Sequence, residues 1–310
     1  LVTLTRDADG NGTFDQIKVV TQHVDGSTTT LVTDKEGSTV TGQSIMFKSA
    51  DGRTQTTQQD MDGDGKYDRQ TEHTWRDFAD GSTKEVIRTY LTSKPDTAVQ
   101  TATITVSADG RTERTIVDVL GGDAVDQETV SIRRIDGSTV TTITSNATAR
   151  NVSPLAGKIN WQSASVAGAT TPALMVVTTS ADGRERTVLS DYDGDGVKEH
   201  EEFWHTAIDG SERASITDKN SDGAVIARGI MTVSADGLVT VLYRDGNADG
   251  TYEHMERAIS RLGGSADRYI YALVDGAWLL KSSVHAHANG QSLVLEGTDG
   301  NDSLVGGDWN

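Results

Sequence analysis

Four nine-residue acidic segments recur along the chain: Asp7-Ala-Asp-Gly-Asn-Gly-Thr-Phe-Asp15, Asp60-Met-Asp-Gly-Asp-Gly-Lys-Tyr-Asp68, Asp191-Tyr-Asp-Gly-Asp-Gly-Val-Lys-Glu199 and Asp245-Gly-Asn-Ala-Asp-Gly-Thr-Tyr-Glu253. Oxygen-bearing side chains stand at positions 1, 3, 5 and 9, with glycine at 6. A hard cation such as Ca2+ takes roughly six to eight oxygens, and a tight turn can deliver alternate side chains plus the position-7 carbonyl to one point. The expected ligands are Asp7, Asp9, Asn11 and Asp15 with the carbonyl of Thr13, and Asp60, Asp62, Asp64 and Asp68 with that of Lys66. The later loops offer Asp191, Asp193, Asp195 and Glu199 with Val197, and Asp245, Asn247, Asp249 and Glu253 with Thr251. Carboxylates crowded this closely repel one another unless a cation lies between them. The spacing therefore predicts four Ca2+ sites. A degenerate segment, third in chain order, Asp118-Val-Leu-Gly-Gly-Asp-Ala-Val-Asp126, has Leu120 and Gly122 where oxygens belong, and is expected to bind no ion.

Two of the loops also carry Glu202 and Glu256 at position 12, which formally completes an EF-hand pattern. An EF-hand needs a helix on each side. Upstream, Arg184–Leu189 and Leu238–Arg244 are β-branched and bounded by turns, and position 12 of the first two loops is Lys18 and Thr71. The loops are thus expected between strands.

Other chemistry is sparse. His285-Ala-His287 could place two imidazoles on one strand face for zinc or copper, but no third ligand is identifiable. His200 and His254 directly follow the last ligand of their loops, which favours a structural role. No nucleophile elbow, zinc-protease helix motif or phosphate-cradling loop occurs. Trp75, Trp161, Trp204 and Trp278 could form sugar platforms, although in a chain with 5% aromatic residues they read first as core anchors. Nothing specifies a reaction, so an enzymatic role is not expected.

Composition agrees with cation uptake. With 46 acidic against 28 basic residues the formal charge is -18, which disfavours nucleic acid and anionic membrane surfaces as partners. No cysteine is present, so neither disulfides nor thiolate metal sites can form, and bound metal is the obvious staple. No apolar run is long enough to insert in a membrane as a helix. The first residues, Leu1-Val-Thr-Leu-Thr, read directly as a strand without a leader, as expected of a piece cut from a longer protein.

What positions the loops is a repeat. Ser-Ala-Asp-Gly turns at Ser49–Gly52, Ser107–Gly110, Ser180–Gly183 and Ser234–Gly237, echoed at His287-Ala-Asn-Gly290, each precede an acidic segment. Asp-Gly-Ser turns follow the loops at Asp25–Ser27, Asp80–Ser82, Asp136–Ser138 and Asp209–Ser211, with Gly263-Gly-Ser265 in the last unit. Loop starts at 7, 60, 118, 191 and 245 give five units of about 54 residues. Between landmarks the chain alternates: Ala102, Ile104 and Val106 point one way, Thr101, Thr103 and Thr105 the other. Tyr252–Leu262 shows a helix-like stripe, but its counterpart Phe14–Val24 does not, so strand is expected in both. Each unit reads as four antiparallel strands, closing either into a propeller-like ring or into an elongated stack. Residues 1–295 form this all-β domain, with an insertion at about 146–172 in the third unit that could serve binding.

The loop Asp-x-Asp-Gly-Asp-Gly-x-x-Asp resembles the calcium loops of FG-GAP and VCBS-type repeats, which lie in hairpins of β-propeller blades. The Phe-Gly and Gly-Ala-Pro landmarks of those families are missing here. At the C-terminus, residues 296–310 resemble the opening of an RTX nonapeptide array, whose pattern is Gly-Gly-x-Gly-x-Asp-x-Leu-x. Gly300, Asp302 and Leu304 match, Asp299 stands where successive turns meet, and Gly297-Thr298 replaces the paired glycine. This resemblance implies the start of a β-roll and a fifth Ca2+ at Asp299 and Asp302. Acidic loops, Thr-rich units, no cysteine and the trailing turn together resemble the large calcium-binding RTX proteins of Gram-negative bacteria. That likeness implies type I secretion, an extracellular or cell-surface location, folding on Ca2+, and an adhesive or structural role. Surface glycans or other adhesin segments would be its partners. A carbohydrate-binding or carbohydrate-processing domain is the alternative.

Overall fold

The computed structural model describes residues 1–119, 125–145 and 173–286, with the backbone of residues 292–296. The chain is all-β, and no helix occurs among the described residues. The chain divides into two compact units, one holding Leu1–Ile132 and residues 143–145, the other Arg133–Thr142 and the described chain from residue 173.

The first unit runs through β1 (Val2–Arg6), β2 (Gln16–Gln22), β3 (Thr28–Glu36), β4 (Thr39–Lys48), β5 (Thr54–Asp60), β6 (Arg69–Asp77), β7 (Thr83–Leu91), β8 (Gln100–Val106), β9 (Thr112–Val119) and β10 (Gln127–Arg133). Next come β11 (Thr139–Ser145), then β12 (Ala173–Thr179), β13 (Glu185–Asp191), β14 (His200–Thr206), β15 (Glu212–Lys219) and β16 (Val225–Val233). The remainder are β17 (Val239–Asp245), β18 (His254–Ser260), β19 (Ala266–Val274), β20 (Ala277–Ala286) and β21 (Ser292–Glu296). Each strand from β1 to β10 pairs antiparallel with the next, and so does each from β12 to β21. Four-stranded propeller blades would interrupt this ladder after every fourth strand. Neither run shows such a break among the described residues.

Short turns account for the meander. In each Asp-Gly-Ser turn the aspartate accepts from the serine N–H and hydroxyl, for example Ser27 N–H to Asp25 Oδ1 at 2.9 Å and Ser27 Oγ at 2.7 Å. The Ser-Ala-Asp-Gly turns use the same chemistry, Ser49 Oγ donating to Asp51 Oδ1 at 2.6 Å. The glycines between them sit at φ near +90°, at Gly26, Gly81, Gly137 and Gly210, where a side chain is strained. Adjacent turns also touch: a Cβ on Gly26, Gly81 or Gly137 would come within 3.5–3.7 Å of the methyl of Ala50, Ala108 or Ala181. Because connections alternate between edges of a meander, each unit carries its acidic loops on one edge and these paired turns on the other.

The stretch 254–260 is strand β18, as its counterpart in the first unit predicts. The apolar core is thin. Among the described residues the buried apolar side chains are Ile143, Val188, Trp204 and Ala214, while eleven buried side chains are polar or charged. The insertion at 146–172, Trp161, His287 and the C-terminal ligands Asp299 and Asp302 lie outside the described residues.

Candidate metal centres

Each complete acidic segment links two paired strands: β1 to β2, β5 to β6, β13 to β14 and β17 to β18. The flanking elements are strands in every case, which leaves the EF-hand arrangement without its helices. Glu202 shows why: it lies in β14, accepting from Trp204 Nε1 at 2.6 Å and bonding His200 Nε2 at 2.9 Å. Glu256 is likewise committed, to Arg268. Burial alone would lower the pKa of His200, but the Asp218 and Glu202 carboxylates on its ring raise it to about 9.

The loop is built by its own side chains. The position-1 carboxylate takes two backbone donors: Gly10 and Gly12 N–H on Asp7 at 2.8 and 2.9 Å, Gly63 and Gly65 on Asp60 at 2.7 and 2.9 Å, Gly194 and Gly196 on Asp191 at 2.5 and 3.0 Å. In the last loop Ala248 replaces the position-4 glycine at φ +60°, and Asp249 N–H becomes the first donor to Asp245, at 3.2 Å. Position 3 accepts from the N–H of position 5, and position 5 from that of position 7, as in Asp64 N–H to Asp62 and Lys66 N–H to Asp64. Position 9 closes the ring by accepting from the N–H of position 2: Ala8 to Asp15, Met61 to Asp68, Tyr192 to Glu199 and Gly246 to Glu253, at 2.6–3.1 Å. Its backbone is held on both sides, Asp68 N–H donating to Gln59 O and Asp68 O accepting from Thr92 N–H.

These bonds turn the carboxylates inward. Four groups result in which one oxygen from each residue lies within 4.8 Å of the others: Asp7, Asp9 and Asp15; Asp60, Asp62 and Asp68; Asp191, Asp193, Asp195 and Glu199; Asp245, Asp249 and Glu253. The donors are hard oxygens without histidine or sulfur, the set a divalent hard cation prefers. Glu199 tests the fit. Its Oε2 closes the loop, while Oε1 is buried and meets no donor. A buried carboxylate oxygen left in this state is costly unless a cation satisfies it.

Not every expected ligand converges. The Asp64 carboxylate stands outside its group and approaches Lys66 Nζ at 3.5 Å. In the fourth segment Lys198 Nζ lies 3.0 Å from Asp191 Oδ2, an internal cation that the acidic pattern does not announce, although a lysine at position 8 is its visible sign. Asn11 and Asn247 accept the N–H groups of Thr13 and Asp249, and Lys66, Val197 and Thr251 donate their N–H groups to the position-5 carboxylates. In the degenerate third segment, Asp126 still accepts from Val119 N–H at 2.5 Å and Asp118 Oδ1 is buried without a partner, while residues 120–124 lie outside the described ones.

Of the other candidates, His285, Trp75, Trp204 and Trp278 lie among the described residues. His285 Nδ1 bonds Asp267, which also pairs with Arg261. Trp204 is buried with Arg186 4.8 Å above its ring, Trp75 stacks on His73 and Trp278 packs on Tyr243. A comparison with protein-family models finds no match, and a comparison with curated proteins finds no similar sequence.

Proposed function

We propose that the four acidic loops bind Ca2+ and that the chain is a calcium-stabilised structural or adhesive module. The observation that carries this reading is the convergence of three or four carboxylates in every complete loop, with Glu199 Oε1 buried and unanswered. When bound, the ion supplies charge neutralisation and extra ligation. Everything else is done by the chain. Position 1 organises the turn, position 9 closes it, and the flanking strands hold both ends in register.

A secreted or cell-surface protein of the RTX kind, exported by a type I system, is the setting proposed. The lack of cysteine, the charge of -18 and the thin apolar core support a fold that waits for extracellular calcium. Glycans or other adhesin segments are the partners proposed, and no reaction is assigned.

Elemental analysis after gel filtration in calcium should find about four ions per chain. A ligand that binds only the folded state stabilises it by about 2.7 kcal/mol per site at a hundredfold excess over Kd. Melting followed by circular dichroism should therefore shift upward by many degrees between chelator and calcium. Fewer than two retained ions, or identical melting curves, would overturn the proposal.

A further inference from the structure

One of the complete loops carries a cation of its own. In the Asp191–Glu199 segment, Lys198 Nζ lies 3.0 Å from Asp191 Oδ2, on a carboxylate that is only 3% exposed. Position 8 is aromatic in the other complete loops, where Phe14, Tyr67 and Tyr252 stand. The turn itself therefore does not require a lysine there. Asp191 already takes the N–H groups of Gly194 and Gly196, so the ammonium is a third donor on a buried group.

The same loop is the most acidic at its centre. Asp191, Asp193, Asp195 and Glu199 all converge, where each of the other complete loops brings three carboxylates together. One ammonium against four carboxylates leaves three net negative charges, the same charge that converges in the other loops. The second loop reaches that charge by another route, since Asp64 stands outside its group beside Lys66, whose side chain is 82% exposed. Lys198 does not complete the site by itself. Glu199 Oε1 stays buried without a donor, so one oxygen still calls for a cation. Calcium affinity in acidic loops is tuned by ligand charge and by rigidity, and a lysine fixed on the position-1 carboxylate acts on both. It relieves repulsion among the four carboxylates and ties the two ends of the loop together. Toward a bound ion the same ammonium is a like charge on a shared ligand, which opposes binding.

We propose that Lys198 sets the calcium affinity of its loop. It is an internal counter-cation that steadies the Asp191–Glu199 turn at low calcium and makes this loop the first of the four to release its ion. This rests on the reading of the acidic loops as Ca2+ sites.

The test withdraws calcium from the loaded chain with a competing chelating dye and follows melting by circular dichroism in calcium and in excess chelator. The wild-type chain should release one ion ahead of the rest. Asp193→Ala, which removes a ligand from this loop alone, should lack that first step. Lys198→Met should hold the same ion about tenfold or more tightly, so that the early step disappears into the later ones. In chelator the same variant should melt below wild type, because its four carboxylates have lost their counter-charge. A simple loss of packing would not tighten the ion while loosening the ion-free chain. Lys198→Arg keeps the charge and should restore both behaviours, whereas Lys66→Met should alter neither. An early step unmoved by Lys198→Met, a variant melting no lower than wild type in chelator, or an equal effect of Lys66→Met would overturn the proposal. If Lys198→Met does not fold in calcium, Asp193→Ala still decides, since a first step that persists there belongs to another loop. A wild-type chain that retains about four ions and releases them together fails this proposal alone. One that retains fewer than two fails the calcium reading and takes this proposal with it.

Discussion

Asp60 and Asp62 stand two residues apart in one loop and carry different burdens. Asp60 is 4% exposed and takes the N–H groups of Gly63 and Gly65. Burial works to raise its pKa, but those donors outweigh it and hold the carboxyl below its ordinary value. Asp62 is exposed and accepts from Asp64 N–H alone within its turn. Removing Asp60 should therefore damage the loop whether or not calcium is present, whereas removing Asp62 should damage only the calcium response. Asp62→Ala is expected to lower the ion count by one and narrow the gap between melting in calcium and in chelator, with the chelator curve unmoved. Asp60→Ala should lower both curves. An Asp62→Ala protein that keeps its full ion count would remove the second loop from the list of sites. The acidic clusters were legible because their spacing is rigid. The direction of Asp64 and the ammonium on Asp191 were not, since both depend on lysines at positions 7 and 8, which the acidic pattern leaves free.

Between loop and strand, the acidic segment docks on the neighbouring turn. Gly63 sits at φ +76°, and a Cβ there would collide with the Val40 carbonyl at the start of β4. Gly65 sits at φ +84° with open space around it. Alanine at either position meets the left-handed penalty of about 1–2 kcal/mol. Gly63→Ala adds a clash with backbone, which overpacking data place at about 1–3 kcal/mol more. Urea denaturation in calcium should thus rank Gly63→Ala clearly below Gly65→Ala, and equal losses would mean that the loop does not lean on the β3–β4 turn. The strands and hairpins themselves were readable in advance, because alternation and Asp-Gly turns act over a few residues. The docking was not, since it joins Gly63 to Val40 from a neighbouring turn more than twenty residues away, and the register shifts at Asp34/Lys35 and Asp218/Lys219 leave no mark on the alternation of residue types.

At the scale of the whole chain, alternation predicts one covered and one open face, yet β8 is half-buried at all seven positions. Sequence gives the period of a strand but not what lies over each face. With so few buried apolar side chains, stability rests on ladders and on turns whose aspartates are ionised. The serine hydroxyl and N–H of Ser27, Ser82 and Ser138 hold Asp25, Asp80 and Asp136 below the ordinary value of 3.8, and the N–H and hydroxyl of Ser211 do the same for Asp209. A depressed carboxylate contributes stability that is present above its unfolded pKa and is lost as pH falls through the folded one. Loop ligands titrate in the same region, so the turns must be isolated by difference. The variant carrying Asp25→Asn, Asp80→Asn, Asp136→Asn and Asp209→Asn keeps an acceptor oxygen in each turn and removes the charge. In excess calcium the wild-type protein should melt above this variant at neutral pH, and the gap should close as pH drops below 3.8. Since the loops are identical in both proteins, their protonation and loss of calcium cancel in the comparison. A gap that is absent at neutral pH, or that persists unchanged into acid, would show that the turn aspartates act through shape alone and that their charge adds nothing to the fold.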